Sequence, residues 1–391
     1  MVEVCLYFQV HQPYRIRNYS VFEIGSSHDY FDHPKNGEVM RKVAAKCYLP
    51  ANQLLLELLE THPGFKVSFS FSGTALEQFQ QYAPEVLDSF KKLAGTGRVE
   101  ILDETYYHSL AFLYSKEEFR EQVTMHRDRI KKLFRQAPKI FRNTELIYNN
   151  ELASYAEKMG YKGVLAEGAD HVLGWRSPNF VYRPKNSQIK LLLKNYRLSD
   201  DIAFRFSERS WKEWPLTSGK FSNWVSAVNG NGNCVNLFMD YETFGEHQWQ
   251  ETGIFDFLRH MPAELLRHPH NRFSTPSEVA RHNAMDELDI HNPISWADVE
   301  RDTSAWLGNS MQKAAIQQLY DLEQPVKEAE DDKLLEDWRK LQTSDNFYYM
   351  CTKWFSDGDV HKYFNPYDSP YEAYMSFMNI INDLKIRMRA G

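Results

Sequence analysis

The chain has 391 residues, of which 42% are hydrophobic and 25% are charged, an ordinary balance for a globular protein. The formal net charge is −7 at pH 7 and no basic patch stands out, which argues against a nucleic-acid partner. No apolar run approaches the roughly 20 residues of a membrane-spanning helix, and the N-terminus lacks the basic leader of a secretory signal.

The first part of the chain predicts strands and helices in alternation. Residues 2–10 are nearly all apolar, as in a strand that is buried on both faces. Further strands are predicted at 65–71, 98–102, 138–142, 162–166 and 233–239. The helices between and after them are predicted near 43–62, 74–94, 116–135, 150–159 and 251–267. Weaker patterns predict a helix near 186–194 and strands near 202–206 and 224–228.

Repeated strand–helix units predict a parallel sheet with right-handed crossovers, and about seven candidate strands favour a barrel. After about residue 268 the pattern changes, because helices are predicted near 307–323, 326–341 and 370–389. We therefore expect a catalytic α/β barrel over residues 1–268 and a C-terminal helical domain over 269–391. No glycine-rich phosphate loop is present, so a nucleotide-binding sheet has little support.

The four cysteines, Cys5, Cys47, Cys234 and Cys351, are far apart in the sequence and form no CxxC pair. This spacing makes a zinc ribbon improbable. Three of them have apolar or aromatic neighbours, which is typical of reduced core residues. A reducing compartment follows, and we expect a cytoplasmic protein.

Candidate catalytic groups follow the strands, at the end of a parallel barrel where chemistry is found. These groups are His11 after the first strand, Asp103, Glu104 and His108 after the third, Glu145 after the fourth, and Asp240 and Glu242 after the strand at 233–239. Two carboxylates on either side of an anomeric carbon are what glycoside hydrolysis requires. We therefore predict a carbohydrate-active site at this rim.

Each of these residues taken alone has a structural interpretation. His11 fits a satisfied core histidine, Glu145 a helix cap or solvated loop acid, and Asp240 the partner of an arginine at the barrel mouth. A metal-dependent deacetylase is the main competing hypothesis. His28 and His33 have a possible ligand spacing, but they lie in a predicted loop, and the sequence has no HExxH motif.

Five short motifs occur in the order found in glycoside hydrolase family 57. They are HQP at 11–13, GRVEIL at 97–102, FRNTELIY at 141–148, LFMDYETFG at 237–245 and ADVERDTSAWLGN at 297–309. The sequence resembles this family over nearly its whole length, and most closely its α-amylase-like members. One departure is that Arg142-Asn143-Thr144-Glu145 replaces the aromatic-Leu-x-Glu pattern that is frequent before the nucleophile.

The resemblance implies a (β/α)₇ barrel followed by a helical domain, with a groove for α-glucans or maltooligosaccharides. It implies that Glu145 is the nucleophile and Asp240 the general acid/base. His11 would contact the sugar next to the scissile bond, with Glu100 in support. Asp302 and Trp306 would help to form the groove from the helical side.

The implied reaction is retaining cleavage of α-1,4 bonds through a covalent glycosyl-enzyme, which needs the two carboxyl groups about 5 to 5.5 Å apart. Neither step calls for a metal or an organic cofactor. Water as acceptor gives hydrolysis, and a second glucan chain gives glucanotransferase or branching activity. A catalytically silent glucan-binding protein on the same scaffold is a further alternative. The oligomeric state is not readable from the sequence.

Overall fold

The computed structural model describes residues 1–353 and 365–390 and contains a ring of parallel strands. Within these residues the strands are β1 (Val2–Val10), β2 (Val67–Phe71), β3 (Val99–Ile101), β4 (Ile140–Arg142), β5 (Gly163–Glu167), β6 (Val181–Pro184), β7 (Lys190–Lys194), β8 (Cys234–Asp240), β9 (Asn271–Phe273) and β10 (Glu287–Leu288). All nine residues of β1 are buried, because this strand lies in the middle of its sheet.

Seven of the described strands, β1 to β5, β7 and β8, close into a barrel. The two sheets join between β3 and β4, where Asp103 N–H donates to the Ile140 carbonyl oxygen at 3.1 Å. They join again between β7 and β8, where Asn195 N–H donates to the Asn236 carbonyl oxygen at 2.9 Å. The predicted (β/α)₇ barrel is thereby confirmed.

The helices form an outer layer and a C-terminal region. In the described residues they are α1 (His33–Val43), α2 (Leu49–Thr61), α3 (Gly73–Tyr82), α4 (Pro84–Gly95), α5 (Ala111–Tyr114), α6 (Lys116–Phe134), α7 (Asn150–Lys158), α8 (Asp170–Leu173), α9 (Tyr196–Ala203), α10 (Ser218–Ser226), α11 (Ile254–Leu266), α12 (Pro276–Val279), α13 (Ser304–Leu307), α14 (Ser310–Tyr320), α15 (Glu323–Glu328), α16 (Asp332–Leu341), α17 (Ser344–Tyr348) and α18 (Pro370–Ala390). The helices predicted at 307–323 and 370–389 correspond to α14 and α18, whereas the one predicted at 326–341 is divided between α15 and α16.

Side-chain alternation along the strands separates the barrel interior from its outer face. Alternate apolar residues such as Tyr7, Leu102, Ile140, Leu192 and Phe238 form one buried cluster. The intervening positions pack under the surrounding helices in two larger clusters. A group of polar side chains lies above this apolar interior layer, where the strands end.

Three of the weaker secondary-structure predictions are wrong. The segment at 186–194 is mostly strand β7, because its leucines are buried between neighbouring strands and tertiary packing overrides their helix propensity. The segment at 202–206 begins inside helix α9. The segment at 224–228 begins inside helix α10, where Phe221 and Val225 are one turn apart and both buried.

The chain continues to contribute strands after residue 268. Strand β9 pairs with the start of β1, and β10 pairs with β6, although no strand was predicted there. Helix α12 follows β9, and its residue Val279 belongs to the apolar cluster of the barrel interior. The domain boundary at 268/269 remains a prediction.

The helical region contacts the barrel at the end where the strands terminate. Ser344 N–H at the start of α17 donates to the His108 carbonyl oxygen at 2.9 Å. The Thr343 hydroxyl donates to the Tyr107 carbonyl oxygen at 3.0 Å. These bonds bring the residues that begin α17 directly over the polypeptide that follows β3.

All four cysteines are free and buried, which confirms that they are not paired in disulfides. Within the described residues, no helix combines the length and apolarity that crossing a bilayer requires.

The Tyr106 ring lies so close to Gly73 that an added Cβ would be 2.4 Å from the ring. We expect Gly73→Ala to lower the free energy of unfolding by about 1 to 3 kcal/mol, the usual cost of overpacking. Urea denaturation measures this change. In the matched control Gly95→Ala the added Cβ has no atom within 4 Å. Equal effects of the two substitutions would contradict the steric explanation.

Candidate active site

Glu145 and Asp240 lie where two barrel strands end. Glu145 follows β4 within a short 3₁₀ helix, Thr144–Leu146, and has a φ of 58°, which is unusual for a residue with a side chain. Asp240 is the last residue of β8. The backbone bend at Glu145 turns the chain away from the strand direction immediately after the barrel wall.

The Glu145 carboxylate accepts hydrogen bonds on both oxygens from residues outside the barrel strands. The Trp296 indole Nε1–H donates to Oε2 at 2.8 Å, and the Ser344 hydroxyl donates to Oε1 at 2.9 Å. His108 Nε2 lies 3.4 Å from Oε1. Burial opposes ionisation of Glu145, but His108, Arg142 and the Trp296 bond lower its pKa to about 2. Glu145 is therefore a carboxylate at neutral pH.

The pKa of Asp240 is shifted in the opposite direction from that of Glu145. Burial and the negative charge of Glu145 raise the pKa of Asp240 to about 6. Arg142, Lys194 and His108 act against this increase. Because Arg142 and His108 influence both Glu145 and Asp240, the two carboxyl groups share one electrostatic environment.

His108 lies between two carboxylates. Its Nδ1 is 3.9 Å from Glu104 Oε1, and its Nε2 faces Glu145. Burial disfavours an imidazolium, yet the two carboxylates outweigh burial and raise the pKa of His108 to about 9. Glu104 in turn accepts a hydrogen bond from the Ser70 hydroxyl at 3.0 Å, and its pKa is lowered to about 2. The group thus carries two negative charges and one positive charge at neutral pH.

His11 stacks on His108, with ring centroids 3.9 Å apart. One ring nitrogen of His11 is 2.7 Å from the Ser72 hydroxyl, and the other is 2.8 Å from Asp345 Oδ2. Burial and the neighbouring charge of His108 lower the pKa of His11. The structure therefore brings His11 into the same cluster as Glu145.

Arg142 adds a buried positive charge beneath the carboxylates. Its side chain is fully buried, and its Nη1 lies 3.7 Å from Glu104 Oε2. The guanidinium carbon is 4.8 Å from the centroid of the Trp296 ring, a cation–π distance. In the described part of the chain its three nitrogens have no hydrogen-bond partner, so its interactions are with charge and with the indole face.

Glu242, two residues after Asp240, is a neutral carboxyl group at pH 7. Burial and the charge of Asp240 raise the pKa of Glu242 to about 8. Its Oε1 accepts a hydrogen bond from the Tyr48 hydroxyl and lies 3.5 Å from Gln12 Nε2. The end of β8 and the residues that follow it therefore carry two carboxyl groups, Asp240 and Glu242, with different pKa values.

The structure does not bring Glu100 together with this cluster. Glu100 accepts a hydrogen bond from the backbone N–H of Ser277, at the start of α12, at 2.9 Å. Burial raises the pKa of Glu100. Glu104, four residues further along the same segment, is the acidic residue that reaches His108.

Asp302 and Trp306 also make their contacts elsewhere. Asp302 is exposed, and its carboxylate accepts hydrogen bonds from the backbone N–H and the hydroxyl of Ser304, both close to the start of α13. Trp306 is 1% exposed and belongs to the apolar cluster that joins the helical region to the outer face of the barrel strands. Their predicted contribution to a sugar-binding groove stays a prediction.

His28 and His33 face different partners. His28 Nδ1 lies 2.7 Å from Asp383 in α18, whereas His33 Nδ1 lies 3.2 Å from the Tyr82 hydroxyl. In the described ranges, no group of three or more His, Cys, Asp or Glu side chains has the arrangement of a metal site.

His108 and Glu104 were among the candidate groups predicted after the third strand, although no individual role was predicted for them. Trp296, Ser344 and Asp345 were not predicted, because they lie in segments without a strand signal. Only the fold brings them within hydrogen-bond distance of Glu145 and His11.

Comparison with known proteins identifies related sequences and folds. Residues 5–291 match the model of Glycosyl hydrolase family 57. A Methanocaldococcus jannaschii protein that is provisionally named an alpha-amylase is 46% identical over 97% of this chain and 83% of its own length.

Solved structures share the fold at low sequence identity. A branching enzyme of the same family from Pyrococcus horikoshii superposes with a TM-score of 0.69 and 14% identity, over 97% of this chain and 88% of that chain. A 4-alpha-glucanotransferase from Thermococcus litoralis gives a TM-score of 0.60 at 18% identity, over 93% of this chain and 54% of that chain. These structures support the fold alone.

The charge on His108 predicts a pH-dependent contribution to stability. Because the pKa of folded His108 is raised to about 9 from a usual 6.5, this contribution is complete below pH 6.5 and is lost as the pH rises through 9. We expect it to reach about 3 kcal/mol. The difference in free energy of unfolding between the wild type and His108→Gln should shrink over this range in urea titrations.

The control for this experiment is His291→Gln, whose side chain is 80% exposed. Its effect should stay within about 0.5 kcal/mol. A difference between the wild type and His108→Gln that does not vary between pH 6 and pH 10 would rule out a buried imidazolium.

Proposed function

Because the chain belongs to glycosyl hydrolase family 57, we propose that this glycoside hydrolase cleaves α-1,4-glucosidic bonds in starch- or glycogen-like glucans with retention of configuration. Glu145 is the nucleophile and Asp240 the general acid/base in this proposal. The observation that carries it is the separation between the pKa values of two carboxyl groups that share one electrostatic environment, about 2 for Glu145 and about 6 for Asp240, so that Glu145 is ionised while Asp240 can still hold its proton.

In the first step the Glu145 carboxylate attacks C1 of the glucose unit. The C1–O bond to the leaving sugar breaks, and the Asp240 proton moves to the departing oxygen. In the second step the Asp240 carboxylate takes a proton from water, and the resulting hydroxide displaces Glu145 from C1. The pKa of about 6 for Asp240 suits both roles, since the group is readily protonated and deprotonated near neutral pH.

We propose that His11 contacts the sugar next to the scissile bond. Its place in the cluster and its links to Ser72 and Asp345 support this role. The contacts described for Glu100, Asp302 and Trp306 do not involve Glu145 or Asp240. Their sugar-binding roles rest on the motif resemblance alone.

We also propose a cytoplasmic location, since free buried thiols are typical of a reducing compartment.

Transfer to a second glucan is the alternative outcome of the same intermediate. Some relatives are named 4-alpha-glucanotransferase or branching enzyme, so the family model alone does not decide between acceptors. We favour hydrolysis because the M. jannaschii relative, at 46% identity, is provisionally named an alpha-amylase. Products from maltoheptaose distinguish the two, since only transfer makes longer sugars.

Replacement of the nucleophile tests the proposal. We expect Glu145→Gln to reduce release of reducing ends from soluble starch by at least about a thousandfold, because an amide cannot form the ester intermediate. The matched control is Glu151→Gln, on α7, whose side chain is 60% exposed. An inactive wild type that still binds starch would indicate a silent homologue.

NMR of the first product should show the α anomer, and a β anomer would contradict retention.

The two pKa values predict the pH dependence of kcat/KM. The reactive form has Glu145 ionised and Asp240 protonated, so activity should fall as the pH rises through about 6. On the acid side activity should persist until the pH approaches about 2, or until the protein unfolds. Initial rates on maltoheptaose between pH 3 and pH 9 measure this profile. An alkaline limb above pH 8 would contradict Asp240 as the acid.

A further inference from the structure

Trp296 is attached to Glu145 through both its backbone and its side chain. Its backbone N–H donates to the Glu145 carbonyl oxygen at 3.2 Å, and its indole Nε1–H donates to Glu145 Oε2 at 2.8 Å. Glu145 has a φ of 58°, a conformation that needs support from its surroundings. Trp296 therefore fixes the main chain and one carboxylate oxygen of the same residue.

Positive charges hold the indole of Trp296 in place. The Arg142 guanidinium carbon lies 4.8 Å from its ring centre, and Lys194 Nζ lies 5.5 Å away. Both cations are buried, so their attraction to the ring is stronger than it is in water. Arg301 Nη1 also donates to the Trp296 carbonyl oxygen at 2.6 Å. Arg142 is the last residue of β4 and Lys194 is the last residue of β7. These two strand ends therefore fix the orientation of the indole and the direction of its N–H.

The other oxygen of Glu145 has donors of a different kind. Oε1 accepts from the Ser344 hydroxyl, which rotates freely about its Cβ–Oγ bond. The His108 imidazolium is 3.4 Å from Oε1, too far for a strong hydrogen bond but close enough to stabilise negative charge. The Ser344 hydroxyl can rotate away when Oε1 uses its lone pair to form the bond to the sugar. The Trp296 indole cannot turn away from Oε2, because two cations hold its ring in place.

We propose that Trp296 is a positioning residue that keeps Oε2 of Glu145 as the non-reacting oxygen and directs Oε1 to the sugar. This inference rests on the proposed role of Glu145 as nucleophile. In the covalent step the Oε1–C1 bond forms while the C1–O glycosidic bond breaks and the leaving oxygen takes the Asp240 proton. Oε2 becomes the ester carbonyl oxygen and keeps the indole hydrogen bond. When water cleaves the ester, negative charge returns to Oε1 beside His108.

The test compares Trp296→Phe with the wild type on maltoheptaose. Phenylalanine keeps an aromatic face for the two cations but removes the N–H donor. We expect kcat to fall about tenfold to a hundredfold, as for loss of a hydrogen bond to a charged group, with KM nearly unchanged. The acid limb of kcat/KM should also move to higher pH, because the Glu145 carboxylate loses a donor.

The matched control is Trp338→Phe, which also removes a buried indole hydrogen bond, here to the Leu319 carbonyl oxygen at 2.7 Å. It should lower thermal stability without moving the acid limb. Unchanged kcat and acid limb in Trp296→Phe, with an active wild type, would overturn the inference. An inactive wild type would instead refute the proposed function.

A second measurement does not depend on any variant. The wild-type enzyme is treated with a 5-fluoro-α-glucosyl fluoride, and the trapped ester is examined by crystallography. The inference requires the ester bond on the oxygen beside Ser344, with the Trp296 indole on the carbonyl oxygen. An ester through the oxygen beside Trp296 would refute it.

Discussion

A carboxylate that is removed from water stays ionised only where positive charge and hydrogen-bond donors surround it. Glu145 meets this requirement through four segments of the chain. Arg142 supplies charge from the end of β4 and His108 from the segment that follows β3, while Trp296 and Ser344 supply donors from beyond the barrel. Residues of the barrel thus contribute most of the stabilisation of the Glu145 carboxylate, and hydrogen bonds from beyond the barrel add to it.

The carboxyl groups around this centre differ in protonation because their partners differ. Glu145 has charged and polar partners and is ionised, whereas Asp240 is buried beside that negative charge and titrates near neutrality. Glu242, held by Tyr48 and affected by Asp240, retains its proton to higher pH. Two acids on the same strand end thus titrate at different pH without any difference in chemical type beyond one methylene.

The amino-acid pattern predicts those parts of the molecule that depend on local information. Apolar runs identified β1 and β8, and the residues that follow strand ends included Glu145, Asp240 and His108. The pattern failed for β7, whose leucines suit a helix equally well. It also failed for site residues that are distant in sequence from the residues they contact. Trp296 is 151 positions from its partner Glu145 and Ser344 is 199 positions away, so no periodicity connects them. Such contacts follow from packing of the complete fold.

The position of β1 in the sheet has a consequence for how the protein is made. The first strand pairs with β8 along seven residues and with β9 along three, and both partners are synthesised long after it. The barrel wall therefore cannot close on the ribosome until the polypeptide has passed residue 240, where β8 ends, and contacts of this sequence separation slow folding. The indole and hydroxyl donors to Glu145 emerge later still. A nascent chain accordingly lacks the finished reaction centre until residue 344 has been synthesised.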